Sequence, residues 1–169
     1  MTPMLIRLRP DRREARLVGH FRGECSLFEA ILVGADESPA ARRAVDVAVQ
    51  MAKRFACTLH IVAAFSPKTY HRSDGSPRRE FENLNHEDDA DALLQVLSFS
   101  AKSEGVEPVL HAVRGELVDA LVETGKSLNV DLVVVGNAAL TGARRILGSS
   151  ASAVAHGVHC SVLIVDSAT

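Results

Sequence analysis

The residues best suited to chemistry fall in two short stretches, one near each end of the chain. Towards the C-terminus, Gly136 ends the apolar run Leu132–Val135, and Gly148–Ser149–Ser150 opens a segment of small residues. Glycine lets backbone approach a ligand closely, and a helix start offers unpaired N–H groups with partial positive charge. Together these features suit an anion, above all a phosphate, at Gly148–Ser149–Ser150. Towards the N-terminus, Val33–Gly34–Ala35–Asp36–Glu37–Ser38 carries a second apolar run into a turn with a carboxylate. His156, His159 and Cys160 also lie close together, but no further Cys or His group completes a tetrahedral set at a usual spacing. We therefore expect no metal. Neither a Gly-x-Ser-x-Gly elbow nor a Gly-x-x-x-x-Gly-Lys-Ser/Thr loop is present, and no nucleophile–base pair stands out, so an enzyme with real turnover is not expected.

The elements that must position these residues follow from apolar periodicity. Ala30–Val33, Leu59–Ala64, Val109–Val113, Leu132–Val135 and Ser161–Val165 read as strands buried on both faces. Ser38 caps a helix that begins at Pro39, where a missing N–H costs nothing. Ala44, Val45, Ala48, Met51, Ala52 and Phe55 form its buried stripe. A second helix is expected from Asp88 to Glu104, with Asp88, Asp89 and Asp91 at its positive end and Gly105 as its stop. Leu117, Val118, Leu121 and Leu128 face inward from a third, and Ser149 starts a fourth. Strands alternating with helices give an α/β layered fold with a parallel sheet in one domain, residues 28–169. Residues 1–27 are arginine-rich and read as a solvated, partly ordered extension. Residues 66–88 read as a long polar loop, either a lid or a surface insertion.

Composition narrows the function. The chain has 169 residues and a formal net charge of −2, tryptophan is absent and aromatics make up 4%, which gives no reason to invoke nucleic acid. Three widely spaced cysteines (Cys25, Cys57, Cys160) fit a reducing compartment rather than a disulfide scaffold. No secretory h-region and no membrane-length apolar run occur, so we expect a soluble cytoplasmic protein.

Two of these stretches resemble the universal stress protein (UspA-like) family. Val33–Gly34–Ala35–Asp36–Glu37–Ser38 matches its Val-Gly-x-Asp-x-Ser signature, and His159–Val165 is similar to its final strand. Gly136 and Gly148–Ser149 match the outer parts of its Gly-x2-Gly-x9-Gly-Ser/Thr motif; Ala139 stands at the second glycine, with eight residues between it and Gly148. The resemblance implies an open, doubly wound five-stranded parallel sheet of order 3-2-1-4-5 with helices on both faces. It implies an adenine nucleotide, ATP with its Mg, in the crevice where the winding reverses, in a sensor or switch of the stress response. Asp36 would accept hydrogen bonds from the ribose or adenine, and Ala35 would offer backbone to the base. Ile61 would line the adenine pocket, Val135 and Gly136 would floor the ribose, and Gly148, Ser149 and Ser150 would hold phosphates. Ala139 would sit on the same loop, with Arg144 and Arg145 as further charge partners. It also implies a homodimer through the last strand, Val162–Val165. Ala139 keeps an alternative open, a nucleotide-free dimeric interaction module of the same fold.

Overall fold

A computed structural model describes residues 27–65, 84–137 and 148–166, the side chains of 84–86 and 149 excepted. The N-terminal extension to residue 26, the loop over 66–83, and Ala139, Gly142, Arg144 and Arg145 lie outside the described residues.

Five strands, β1 (Ala30–Ala35), β2 (Thr58–Phe65), β3 (Val109–Arg114), β4 (Leu132–Asn137) and β5 (Ser161–Asp166), alternate with helices α1 (Pro39–Phe55), α2 (Leu84–Ser103), α3 (Leu117–Leu128) and α4 (Ser149–Gly157). All neighbouring strands run parallel, in the order β3-β2-β1-β4-β5. The expected doubly wound sheet is thus the observed one. Side chains alternate across each strand, so each face carries its own core. Ile31, Val33, Leu59, Ile61 and Val134 pack with Ala44, Val45, Ala48 of α1 and Leu94 of α2. Leu32, Val62, Val133 and Val135 pack on the other face with Ala120 and Leu121 of α3 and Ala151 and Val154 of α4.

The caps explain where the helices begin and end. Ser38 Oγ accepts the Ala41 N–H at 3.1 Å, with Pro39 in the first turn, as the sequence predicts. The α2 helix stops at Gly105, whose φ of +84° few residues but glycine adopt. There the Val106 N–H returns to the Ala101 carbonyl and the Gly105 N–H to that of Lys102, a paired closure of the last turn. Its other end corrects the sequence reading. The helix starts at Leu84 rather than Asp88, and only Glu87 among the acids lies in its first turn. Asp88, Asp89 and Asp91 are simply exposed on its solvent side, beyond the reach of the terminal dipole.

The end of α1 sets up a stability prediction. Ala56 caps it at φ 50°, ψ 40°, the left-handed region that alanine pays strain to enter. Ala56→Gly should raise stability by about 0.5–1 kcal/mol, read as a higher midpoint in urea.

A pair of histidines joins β2 to the edge strand β3. His60 Nδ1 lies 3.0 Å from His111 Nε2, so one ring donates to the other. Burial holds both rings below the ordinary histidine value, and His60 is further depressed by the charge of His111. The unfolded chain therefore takes up protons first as pH falls. Stability should be full above about pH 6.5, the unfolded value, and fall as pH drops through the lower folded values. Urea midpoints between neutral and acid pH should show this decline, and a His60→Leu/His111→Leu double variant should flatten it.

Asp131 makes a polar tie between strands far apart in the sequence. Just before β4, its Oδ2 accepts two backbone N–H groups ahead of and within β1, from Glu29 at 2.7 Å and Ala30 at 3.0 Å. It fixes where the two central strands begin relative to each other. Among the described residues, no helix is long and apolar enough to cross a membrane.

Candidate functional site

The sheet changes winding direction between β1 and β4, because β2 and β3 lie to one side of β1 and β4 and β5 to the other. In open parallel sheets, ligands bind at such a point, beyond the carboxyl ends of the strands. A cavity of about 330 Å3 opens there, within the size range of small-molecule sites. Gly34, Asp36 and Ser38 contribute from the end of β1 and its turn, and Val135, Gly136 and Asn137 from the end of β4. Gly148, Ser150, Ala151 and Val154 line it from α4, and Leu117, Val118 and Leu121 form an apolar wall on α3.

The turn after β1 is self-locking. Asp36 Oδ1 accepts the Ser38 N–H at 2.7 Å, and Ser38 in turn caps α1. This Asx-type turn leaves the second carboxylate oxygen of an exposed side chain available at the cavity. On the opposite side, the first intrahelical bond of α4 runs from the Ser152 N–H to the Gly148 carbonyl at 3.0 Å. The amides before Ser152 have no intrahelical acceptor, and they form the positive end of the helix. A carboxylate thus marks one wall and a cluster of N–H donors another.

Gly136 owes its glycine to packing. A Cβ there would lie 2.4 Å from both the carbonyl carbon and the oxygen of Ala40. The first turn of α1 therefore rests on the β4 backbone itself. Gly34 serves a related purpose, since a Cβ would meet Leu121 Cδ1 at 2.9 Å.

The structure brings together Asp36, Val135, Gly136, Gly148 and Ser150 of the sequence-predicted residues. The backbone of Ser149 starts α4 beside them. One other needs correction. Ile61 is fully buried against α1 and α2, on the face opposite Val62 and Val135, and does not line the cavity. The Ala35 side chain packs on that same face at 2% exposure, while the contribution expected of Ala35 is its backbone, at the end of β1 between the cavity residues Gly34 and Asp36. Alternation along β1 and β2 sends both side chains away from the cavity. Sequence reasoning missed Asn137 as a site residue and placed Leu117, Val118 and Leu121 only in the core. The polar residue directly after Gly136 was the available signal for Asn137.

Among the described residues, Asp36 alone of the titratable side chains lines this cavity. His156 Nδ1 donates to the Ser152 carbonyl at 2.7 Å, within the last turns of α4. Cys57 and Cys160 are free and half-buried beside the two cores, and burial pushes both thiols up. Among the described residues, no three His, Cys, Asp or Glu side chains are placed to hold a metal.

Comparison with known proteins agrees with this architecture. The profile of the universal stress protein family matches residues 27–166. A universal stress protein of Methanocaldococcus jannaschii is 31% identical over 143 residues, covering 83% of each chain. Universal stress protein A homolog 1 of Coxiella burnetii is 29% identical over 140 residues, covering 82% of this chain and 96% of its own. A universal stress protein solved in complex with cAMP superposes with a TM-score of 0.64 at 31% identity, covering 83% of this chain and 98% of its own. With five parallel strands in this order and a family match across nearly all the described residues, the chain belongs to the universal stress protein family.

Proposed function

We propose that this chain binds an adenine nucleotide, ATP with its Mg or a related phosphate ester, in the cavity between β1 and β4. It would act as a cytoplasmic sensor or switch in the stress response rather than as a turnover enzyme. The observation that carries this reading is the cavity itself. Its lining joins Asp36, whose second carboxylate oxygen is an acceptor for ribose or amino hydrogens, to the start of α4, whose first-turn amides have no acceptor within the helix and are donors for a phosphate. Leu117, Val118 and Leu121 offer an apolar surface beside them. A relative at 31% identity was solved with cAMP, which supports an adenine ligand for this chain.

Calorimetry with ATP, AMP and cAMP tests the reading. Saturable binding is expected at submillimolar concentration, and Asp36→Ala should weaken it about tenfold through loss of a charged hydrogen-bond partner. No binding at millimolar nucleotide would reject it. Multiple-turnover hydrolysis would overturn the non-enzymatic part.

A homodimer through β5 belongs to the same proposal. That strand ends the sheet, and Val162, Leu163 and Ile164 on it are only half-buried in one chain. An edge of this kind invites pairing with a second copy. Light scattering should return twice the 18.1 kDa chain mass; a monomer in dilute solution would remove this part.

A further inference from the structure

Asn137, the last residue of β4, reaches across to the residue that caps α4. The Gly148 N–H donates to Asn137 Oδ1 at 2.9 Å. A backbone N–H can only donate, so it must meet the oxygen of the carboxamide, and this fixes which end of the amide is which. The other end, Nδ2 with two N–H groups, belongs to a side chain that lines the cavity, and no protein acceptor is paired with it among the described residues.

The helix that this bond anchors needs an anchor. The α4 helix has nine residues, too few to be stable by itself in water. Gly148 at its start has no side chain with which to cap it. Asn137 supplies from β4 the contact that the cap lacks, and satisfies the amide of Gly148. A methyl group at Gly148 would lie 3.0 Å from the same Oδ1, so the two residues are matched to each other in space.

We propose that Asn137 is the positioning and charge-selecting residue of the anion site. Its Oδ1 holds the start of α4 against the end of β4, so that the first-turn amides face the cavity at a fixed distance. Its Nδ2 adds neutral donors aimed at an anionic group of the ligand. The donor half rests on the nucleotide reading above; the holding half does not. A carboxylate at 137 would accept from Gly148 equally well, but it would set a negative charge against a phosphate. Only a side chain with an acceptor at one end and donors at the other does both.

Two variants of the full chain separate the halves, Asn137→Asp and Asn137→Ala. Amide exchange by NMR, without nucleotide, reports on Gly148 and on Ser152 to His156. Calorimetry with AMP reports on the ligand. In Asn137→Asp, exchange across α4 should stay within twofold of the native protein while AMP affinity falls at least tenfold. In Asn137→Ala, exchange at Gly148 and through α4 should rise at least tenfold and affinity should fall as well. Unchanged exchange in Asn137→Ala overturns the holding role. Native AMP affinity in Asn137→Asp overturns the donor role. A native chain without affinity for any adenine nucleotide removes the donor role together with the preceding proposal, and the exchange comparison then decides the holding role alone.

Discussion

Replacing Gly136 with alanine should destabilise the protein by about 3 kcal/mol or more, a large share of the total stability of a marginal domain. The added methyl would stand 2.4 Å from the carbonyl group of Ala40 and 2.8 Å from the Ala41 nitrogen. Those are backbone atoms in the first turn of α1, so no side-chain rotation relieves the clash. Either α1 lifts off β4 or the end of β4 bends away. Both movements expose Val45, Ala48 and Val134, which are buried in the core between them. Equilibrium urea denaturation followed by circular dichroism checks this. Gly148→Ala serves as the control: its methyl would meet one side-chain oxygen at 3.0 Å, which a small rotation relieves. A Gly136→Ala protein with native stability would mean that the helix and the strand are not in this contact.

The second large effect is expected at Asp131, far from the cavity. Asp131→Ala should cost about 2–3 kcal/mol, because two backbone N–H groups, on Glu29 and Ala30, lose a charged acceptor at once. Ala30 is only part-buried, so water replaces some of the loss and holds the figure to this range. Asp131→Asn keeps an acceptor oxygen without the charge and should recover about half. The same urea titration applies, and equal midpoints for all three proteins would show that these bonds contribute nothing net.

Strands and caps were the legible part of this fold. Runs such as Leu132–Val135 announce themselves because a parallel strand is apolar on both faces. Ser38–Pro39 and Gly105 act through their nearest neighbours, so their roles can be read from the sequence one residue at a time. The start of α2 could not, since acids favour a first turn but are equally at home on any exposed helix face. Ile61 shows a further limit. Period-two alternation places it opposite Val62, yet which of the two faces the cavity depends on the side from which α3 and α4 cover the sheet. Asp131 with Glu29, His60 with His111, and Asn137 with Gly148 depend on strand order, register and the return of the chain. Those are tertiary facts with no local trace.

The seat of α1 on β4 bears on how members of one lineage should be compared. Selection at position 136 acts on folding, whatever the crevice holds. Descendants that abandoned the ligand would still inherit this glycine, so its retention says nothing about whether a given descendant kept the ligand. Drift at position 137 is the more telling record: once nothing is bound, only the tether to the short helix remains to be preserved, and aspartate becomes as acceptable there as asparagine.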